Sequence, residues 1–169
     1  MRACLAAASM ASMLVLSGCG AGQSMTSGTS NAAKWAFTTK VKTMKVDLVS
    51  RAAANPDATG QPLSTVIRLY QLKTPTTFEK LTYAQLQTDD LTLLKGALLT
   101  TANVVLRPGT SEDVTEPMHP DASYVGVVAF FRDVDQTAVW KVVLPKAQWK
   151  KTRSVMLEVQ GSHLRVING

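Results

Sequence analysis

Residue type and spacing specify a reaction at Leu16-Ser17-Gly18-Cys19. An aliphatic residue, two small residues and a cysteine follow an uncharged apolar run from Ala3, which Arg2 precedes. That order reads as a bacterial lipobox. The Cys19 thiol takes a diacylglyceryl group, and a membrane protease with a narrow cleft for the small residues cuts before it. Residues 1–18 are then a lipoprotein signal peptide. The mature chain begins at Cys19, is acylated on its new amino group, and holds a membrane through acyl chains, gaining about 0.8 kcal/mol per buried CH₂. An ordinary secretory signal is the alternative, but no Ala-x-Ala site fits the end of the apolar run. The run is shorter than the roughly 20 residues of a transmembrane helix.

Other groups that do chemistry are sparse. Cys4 is lost with the signal and Cys19 is consumed by lipid, so the mature domain keeps no thiol for a disulfide, a metal or a nucleophile. His119 lies in a proline-flanked turn with only Glu116 and Asp121 nearby in sequence, and His163 opens a strand. A metal site needs several converging ligands, so both read as surface or strand residues. Asp89 and Asp90 are adjacent and point apart on a helix, which favours a place at a helix N-terminus over a catalytic pair. Asp133 and Asp135 flank Val134 and read as a hairpin turn, not a calcium loop. Gly109 and Gly126 are isolated, and no nucleophile elbow or phosphate-binding loop is present. The expectation is a protein that is not an enzyme, has no metal or cofactor, and carries only covalent lipid.

The chain has 169 residues, a formal net charge of +6 and a pI near 9.5. Its mature part suits one domain with a core. Lys34, Lys40, Lys42 and Lys45 mark the start of that domain, and Lys146, Lys150, Lys151 and Arg153 mark a late turn, with mixed signs between. No basic stripe runs along the sequence, and export separates the protein from nucleic acid.

The elements that position these groups are mostly strands. Residues 19–33 are a linker of Gly, Ser, Thr, Asn and Ala, expected to be flexible because it cannot bury enough surface to offset ordering. Residues 34–169 form the folded domain. Met44, Val46 and Leu48 alternate with Lys45, Asp47 and Val49, the period of a strand. Turn formers from Ala52 to Pro62 break it, and Val66 to Leu72 resumes. Residues 76–99 read as a helical excursion of two short helices, with Thr76 or Thr77 as a cap and Glu79 in the first turn. Strand signals return at Asn103–Leu106, at a polar edge from Glu112 to Glu116, and at Tyr124–Phe131. The last is nearly continuous in apolar residues and is expected to be central, buried on both faces. Val139–Leu144, Ser154–Val159 and His163–Val166 follow, with Gly161-Ser162 as a tight hairpin. About eight strands predict an all-β fold, an antiparallel two-sheet β-sandwich with a short helical insertion; a closed barrel is the alternative.

Function then falls to binding. Loops on a rigid sandwich carry recognition, and the loop from Ala52 to Ser64, with Asn55, Pro56, Asp57, Thr59, Gly60, Gln61 and Pro62, is either such a loop or a plain surface connection. Trp35, Trp140 and Trp149 are candidate anchors, with Trp140 expected in the core and Trp149 partly exposed. A second reading is a lipoprotein holding a small apolar ligand in an enclosed cavity of roughly 300 Å³ or more. A third, a periplasmic hydrolase, needs a histidine beside a nucleophile and a carboxylate.

Several stretches resemble one family. The lipobox, the polar linker, Asn55-Pro56, Gly60 and Pro62, the run Arg68-Leu69-Tyr70-Gln71-Leu72, Leu106-Arg107-Pro108-Gly109, and Tyr124 to Arg132 before Trp140-Lys141 are similar to the TssJ (SciN) lipoproteins of type VI secretion systems. The resemblance covers nearly all of the mature chain. It implies a transthyretin-like sandwich on the periplasmic face of the outer membrane. It also implies a role in holding the periplasmic C-terminal domain of the inner-membrane protein TssM, within a complex that contains TssL. The loop between the first two strands, here Ala52 to Leu63, is implied in that contact, with Asn55, Asp57, Thr59 and Gln61 as the candidate partner-binding residues by position and side chain. Gly20, not aspartate, follows Cys19, which by the enterobacterial sorting rule permits transfer to the outer membrane.

Overall fold

Alternation along β1 (Thr43–Ala54) sorts its side chains onto two faces. Met44, Val46, Leu48 and Ser50 are buried, while Lys45, Asp47 and Val49 are half-buried on the other side. A computed structural model describes residues 40–168. The lipobox, the linker and Trp35 lie outside the described residues.

Seven more strands follow: β2 (Thr65–Leu72), β3 (Leu98–Leu106), β4 (Ser111–Pro117), β5 (Tyr124–Phe130), β6 (Lys141–Pro145), β7 (Val155–Gly161) and β8 (His163–Asn168). They form two four-stranded sheets, ordered β4-β1-β7-β8 and β3-β2-β5-β6. The expected sandwich is present, with β4 at an edge as its polar sequence indicated. All pairings are antiparallel except β1 with β7, which run parallel with Val46 opposite Val155. Alternation looks the same in parallel and antiparallel partners, so the sequence carried no sign of this pair. Between the sheets lie Val46, Leu48, Ile67, Leu69, Val125, Val127, Leu157 and Val159, all nearly inaccessible to solvent.

β5 is central and buried on both faces. Val125, Val127 and Ala129 enter the core between the sheets, whereas Val128 enters a second cluster with Tyr70, Leu72, Phe78, Leu81, Leu86 and Leu94. The helical insertion covers that outer face. It holds three short helices, not two: α1 (Thr76–Lys80), α2 (Tyr83–Thr88) and α3 (Asp90–Leu94). Pro75, rather than a threonine, precedes α1 and gives no side-chain cap; the capping box is at Thr82 and Gln85 of α2. Leu98 and Leu99 belong to β3: Leu98 pairs with Leu72 at the end of β2, and Leu99 is the extra residue where the register shifts before Thr100 pairs with Gln71. The Lys141 ammonium closes α1 by donating to the carbonyls of Phe78 (3.2 Å), Glu79 (2.7 Å) and Leu81 (2.7 Å). Tyr83 donates its hydroxyl to Phe131 O at 2.5 Å, tying α2 to the end of β5.

Trp149, expected partly exposed, is buried. It sits on α4 (Gln148–Lys151), and its indole N–H donates to Lys45 O at 2.8 Å. Trp140 is half-buried, edge-on to Tyr83 at 5.2 Å between ring centroids. It precedes β6, which starts at Lys141; Val139 makes only an isolated bridge to His163.

Connections gather at two ends, separated by the twelve residues of β1, roughly 40 Å at strand rise. At one end meet the β1–β2, β3–β4, β5–β6 and β7–β8 connections. Ser50 N–H donates to Thr110 O (2.8 Å), Asn55 N–H to Gly161 O (2.9 Å) and Val139 N–H to Ser162 O (3.2 Å). At the other end the chain enters at Lys40. There Met118 N–H donates to Lys42 O (2.9 Å), Ser123 N–H to Leu72 O (2.9 Å) and Lys146 N–H to Ser123 O (2.8 Å).

Candidate functional site

The loop end carries the sequence-predicted residues. β1 continues through Ala54, beyond the break expected at Ala52, because Ala54 pairs with Gly161 of β7. Asn55 then turns the chain in the left-handed region at φ 49°, the one non-glycine residue to do so among the described residues. Its amide spans the base of the loop. Nδ2 donates to Ser64 O at 2.9 Å, and Oδ1 accepts from Arg132 N–H at 2.7 Å. Asn55 is only 3% exposed, so this side chain joins the β1–β2 and β5–β6 loops from beneath.

Asp57 organises the tip. Its Oδ1 accepts from Thr59 Oγ1 (2.7 Å), Thr59 N–H (2.8 Å) and Gln61 N–H (2.9 Å). Asp57 N–H donates to Gln61 O at 2.9 Å, Pro56 bridges Pro62, and Gly60 provides the left-handed turn at φ 82°. The hydrogen bond from the Thr59 hydroxyl, then those from the Gln61 and Thr59 amides, hold the Asp57 carboxyl below the usual carboxylate range. Thr59 and Gln61 are exposed, and Asp57 is half-buried. The four candidates therefore come together as one unit, with Asn55 as its strut and the other three at its surface.

Sequence reading missed a matching unit next to it. In the 131–140 connection, where a hairpin turn was expected, Asp135 Oδ1 accepts from Thr137 Oγ1 (2.7 Å), Thr137 N–H (2.8 Å) and Ala138 N–H (2.9 Å). The shared Asp-x-Thr spacing of residues 57–59 and 135–137 was the available signal.

Also unread was a charge network under the insertion. Asp90 Oδ2 accepts from Arg68 Nη1 at 2.5 Å and from the Tyr70 hydroxyl at 2.7 Å, and Arg68 Nε donates to Asn103 Oδ1 at 2.8 Å. Asp90 does stand in the first turn of α3, as its place before the leucines indicated, but it is buried there. Burial opposes its ionisation; the bonds from Tyr70 and Arg68 outweigh that and hold the carboxyl below its ordinary value of 3.8. Burial and the Asp90 bond push Tyr70 up. Replacing Asp90 by asparagine is expected to cost about 2–3 kcal/mol at neutral pH, because Arg68 loses its counter-charge. A depressed folded pKa contributes stability above the unfolded value and loses it as pH falls through the folded one. The melting temperatures of the two proteins should converge as the pH drops below 3.8; a constant gap into acid would show that charge is not the cause.

His119 accepts from Asp121 N–H through Nδ1 at 3.2 Å, which fixes its turn, and His163, at the start of β8, pairs with Gln160 of β7. No group of three metal-ligating side chains occurs among the described residues. A depression of about 210 Å³, lined by Val66, Arg68, Gln87 and Phe130, lies on the outer sheet face, outside the core between the sheets.

The described residues thus form a two-sheet sandwich with a helical insertion over one outer face and hydrogen-bonded loops at one end. The chain belongs to the type VI secretion lipoprotein family that includes TssJ, VasD and EvfM, whose model matches residues 42–162. A chain of the solved "Type VI membrane complex" is 35% identical, with a TM-score of 0.71, covering 76% of this chain and all of that one. A chain of the structure described as "T6SS protein TssM C-terminal domain (869-1107) from EAEC" is 33% identical, with a TM-score of 0.65 and coverage of 76% and 100%. The lipoprotein TssJ1 from Pseudomonas aeruginosa is 26% identical, with a TM-score of 0.65 and coverage of 76% and 96%. None of the curated proteins searched matches this chain.

Proposed function

We propose that this lipoprotein tethers a type VI secretion membrane complex to the outer membrane from its periplasmic face. Its role is binding, not turnover. It holds the periplasmic C-terminal domain of TssM, in a complex that contains TssL, with acyl chains on Cys19 as the anchor. Family membership supports the setting, and the relative described as a TssM C-terminal domain structure supports the partner. One observation carries the contact surface: the 55–64 loop is ordered before any partner arrives, by Asp57 at its tip and Asn55 at its base. Preorganisation lowers the entropy lost on association.

The test is titration of the purified TssM periplasmic domain with loop variants. Asp57→Ala with Gln61→Ala is expected to weaken binding at least tenfold, about 1.4 kcal/mol, with some fall in melting temperature because Asp57 gives up three hydrogen bonds at the tip; Gln61→Ala alone, which keeps those bonds, should weaken binding at an unchanged melting temperature. Unchanged affinity would remove the loop from the contact. In cells, Cys19→Ser should let a wash at high salt, which screens surface charge to within about 3 Å, move the protein from the membrane to the soluble fraction; retention through that wash would sink the anchoring.

A further inference from the structure

We propose that the end of the sandwich where the chain enters is a docking face for an anionic lipid surface. Cations that are remote in sequence converge there. The indole of Trp149, bonded to Lys45 O at 2.8 Å, lays the β6–β7 connection onto the start of β1. That contact brings Lys150, Lys151 and Arg153 to the same end as Lys40 and Lys42, and all five are exposed. Lys73, whose N–H donates to Ala97 O at 2.8 Å, and Lys95 extend the face beneath the second sheet. Among the described residues, nearby carboxylates are few: Glu116 at the end of β4, Asp121 in the β4–β5 turn, and Asp47, which is already paired with Lys45 at 3.6 Å and accepts from the Ser154 hydroxyl at 2.6 Å. Among the described residues the ion pairs involve Lys45, Arg51, Arg68 and Arg165, and none of these seven cations. At the loop end Arg107 and Arg132 stand against Asp57, Asp133 and Asp135. The excess positive charge is therefore a property of one end.

Two features commit this face to lipid. Its charge complements lipid phosphates, each lysine or arginine near an anionic surface strengthening binding about fivefold. It also surrounds the point where the segment from Cys19 joins the domain. The twenty residues 20–39 span at most about 70 Å, a reach that permits more than one orientation and leaves charge to choose between them. Docked this way, the domain points its 55–64 loop away from the membrane. The proposal rests on lipidation for the membrane's proximity, and its test removes the lipid so that the two can fail separately.

The mature chain carrying Cys19→Ser would be sedimented with vesicles of phosphatidylethanolamine alone or mixed with phosphatidylglycerol. Binding is expected only to the anionic vesicles, and should vanish in 1 M salt, where screening acts over about 3 Å. Lys150→Glu, Lys151→Glu and Arg153→Glu together should reduce it at least a hundredfold. Arg107→Glu with Arg132→Glu, a change of similar size at the loop end, should leave it intact. Melting curves of both variants, and the milder triple glutamine variant, separate charge from misfolding. Equal binding to both vesicle types, no binding to either, or equal losses from the two ends would overturn the proposal. A triple variant that keeps vesicle binding but loses the TssM domain would assign the face to an acidic protein instead, and would also overturn it.

Discussion

Asn55→Ala is expected to destabilise the domain by about 3 kcal/mol and to weaken partner binding together. Three costs combine. The Arg132 N–H and the Ser64 carbonyl lose their partners, at about 1 kcal/mol each, the low end for an unsatisfied group because both residues are exposed. Alanine at φ 49° adds roughly 1–2 kcal/mol. Solvent entering the opened loop base recovers part of the sum. Asn55→Gly accepts the left-handed backbone and keeps only the lost bonds, so it should recover about 1 kcal/mol of the alanine defect. Urea denaturation measures both, and the TssM titration reports the loop. If Asn55→Ala melts early yet binds the partner domain normally, the loop needs no strut. If alanine and glycine are equal, the backbone conformation contributes nothing.

Phe78→Ala should cost about 3–5 kcal/mol, the range for emptying a buried aromatic site. Phe78 is fully buried and is the residue by which α1 grips the sheet. Its ring lies over Gly126: a Cβ built there would meet two ring atoms at 2.8 Å and a third at 3.0 Å. The ring has little room to retreat, with Tyr70 at 5.5 Å between centroids and the Lys141 ammonium 5.7 Å from its centre. Gly126→Ala is therefore expected to cost about 1–3 kcal/mol by overpacking. In the Phe78→Ala background the same methyl enters the vacated space and should be neutral or stabilising, a coupling of about 1–2 kcal/mol in a double-mutant cycle. Additive costs in urea unfolding would show that the ring does not limit Gly126.

These two sites differ in how far the sequence exposes them. Asn55 is conspicuous: Asn-Pro-Asp after an alternating run is turn chemistry, and the loop assignment follows. Its partner, Arg132, is 77 residues away in sequence, so the burial of its side chain was not legible. Gly126 read as an isolated glycine because the ring that needs its missing side chain comes from α1, 48 positions earlier in the chain. The same holds for Asp90, which local reasoning placed at a helix N-terminus. Its pairing with Arg68 and Tyr70 depends on α3 lying across β2. Trp149 looked exposed between Gln148 and Lys150, yet the carbonyl its indole needs is on β1.

The sequence by itself determined most strand positions, the two-faced burial of β5 and the family, since each depends on neighbours along the chain: period-two alternation, turn formers, short motifs. Only the tertiary structure decided the parallel β1–β7 pair, the third helix of the insertion, and the joining of the 55–64 and 131–140 loops through Asn55. It alone also gathered Lys40, Lys42, Lys150, Lys151 and Arg153 at one end. Packing and electrostatics act through space, and paired strands, from about 17 Å to about 40 Å long at strand rise, bring residues a hundred positions apart to the same end of a sheet.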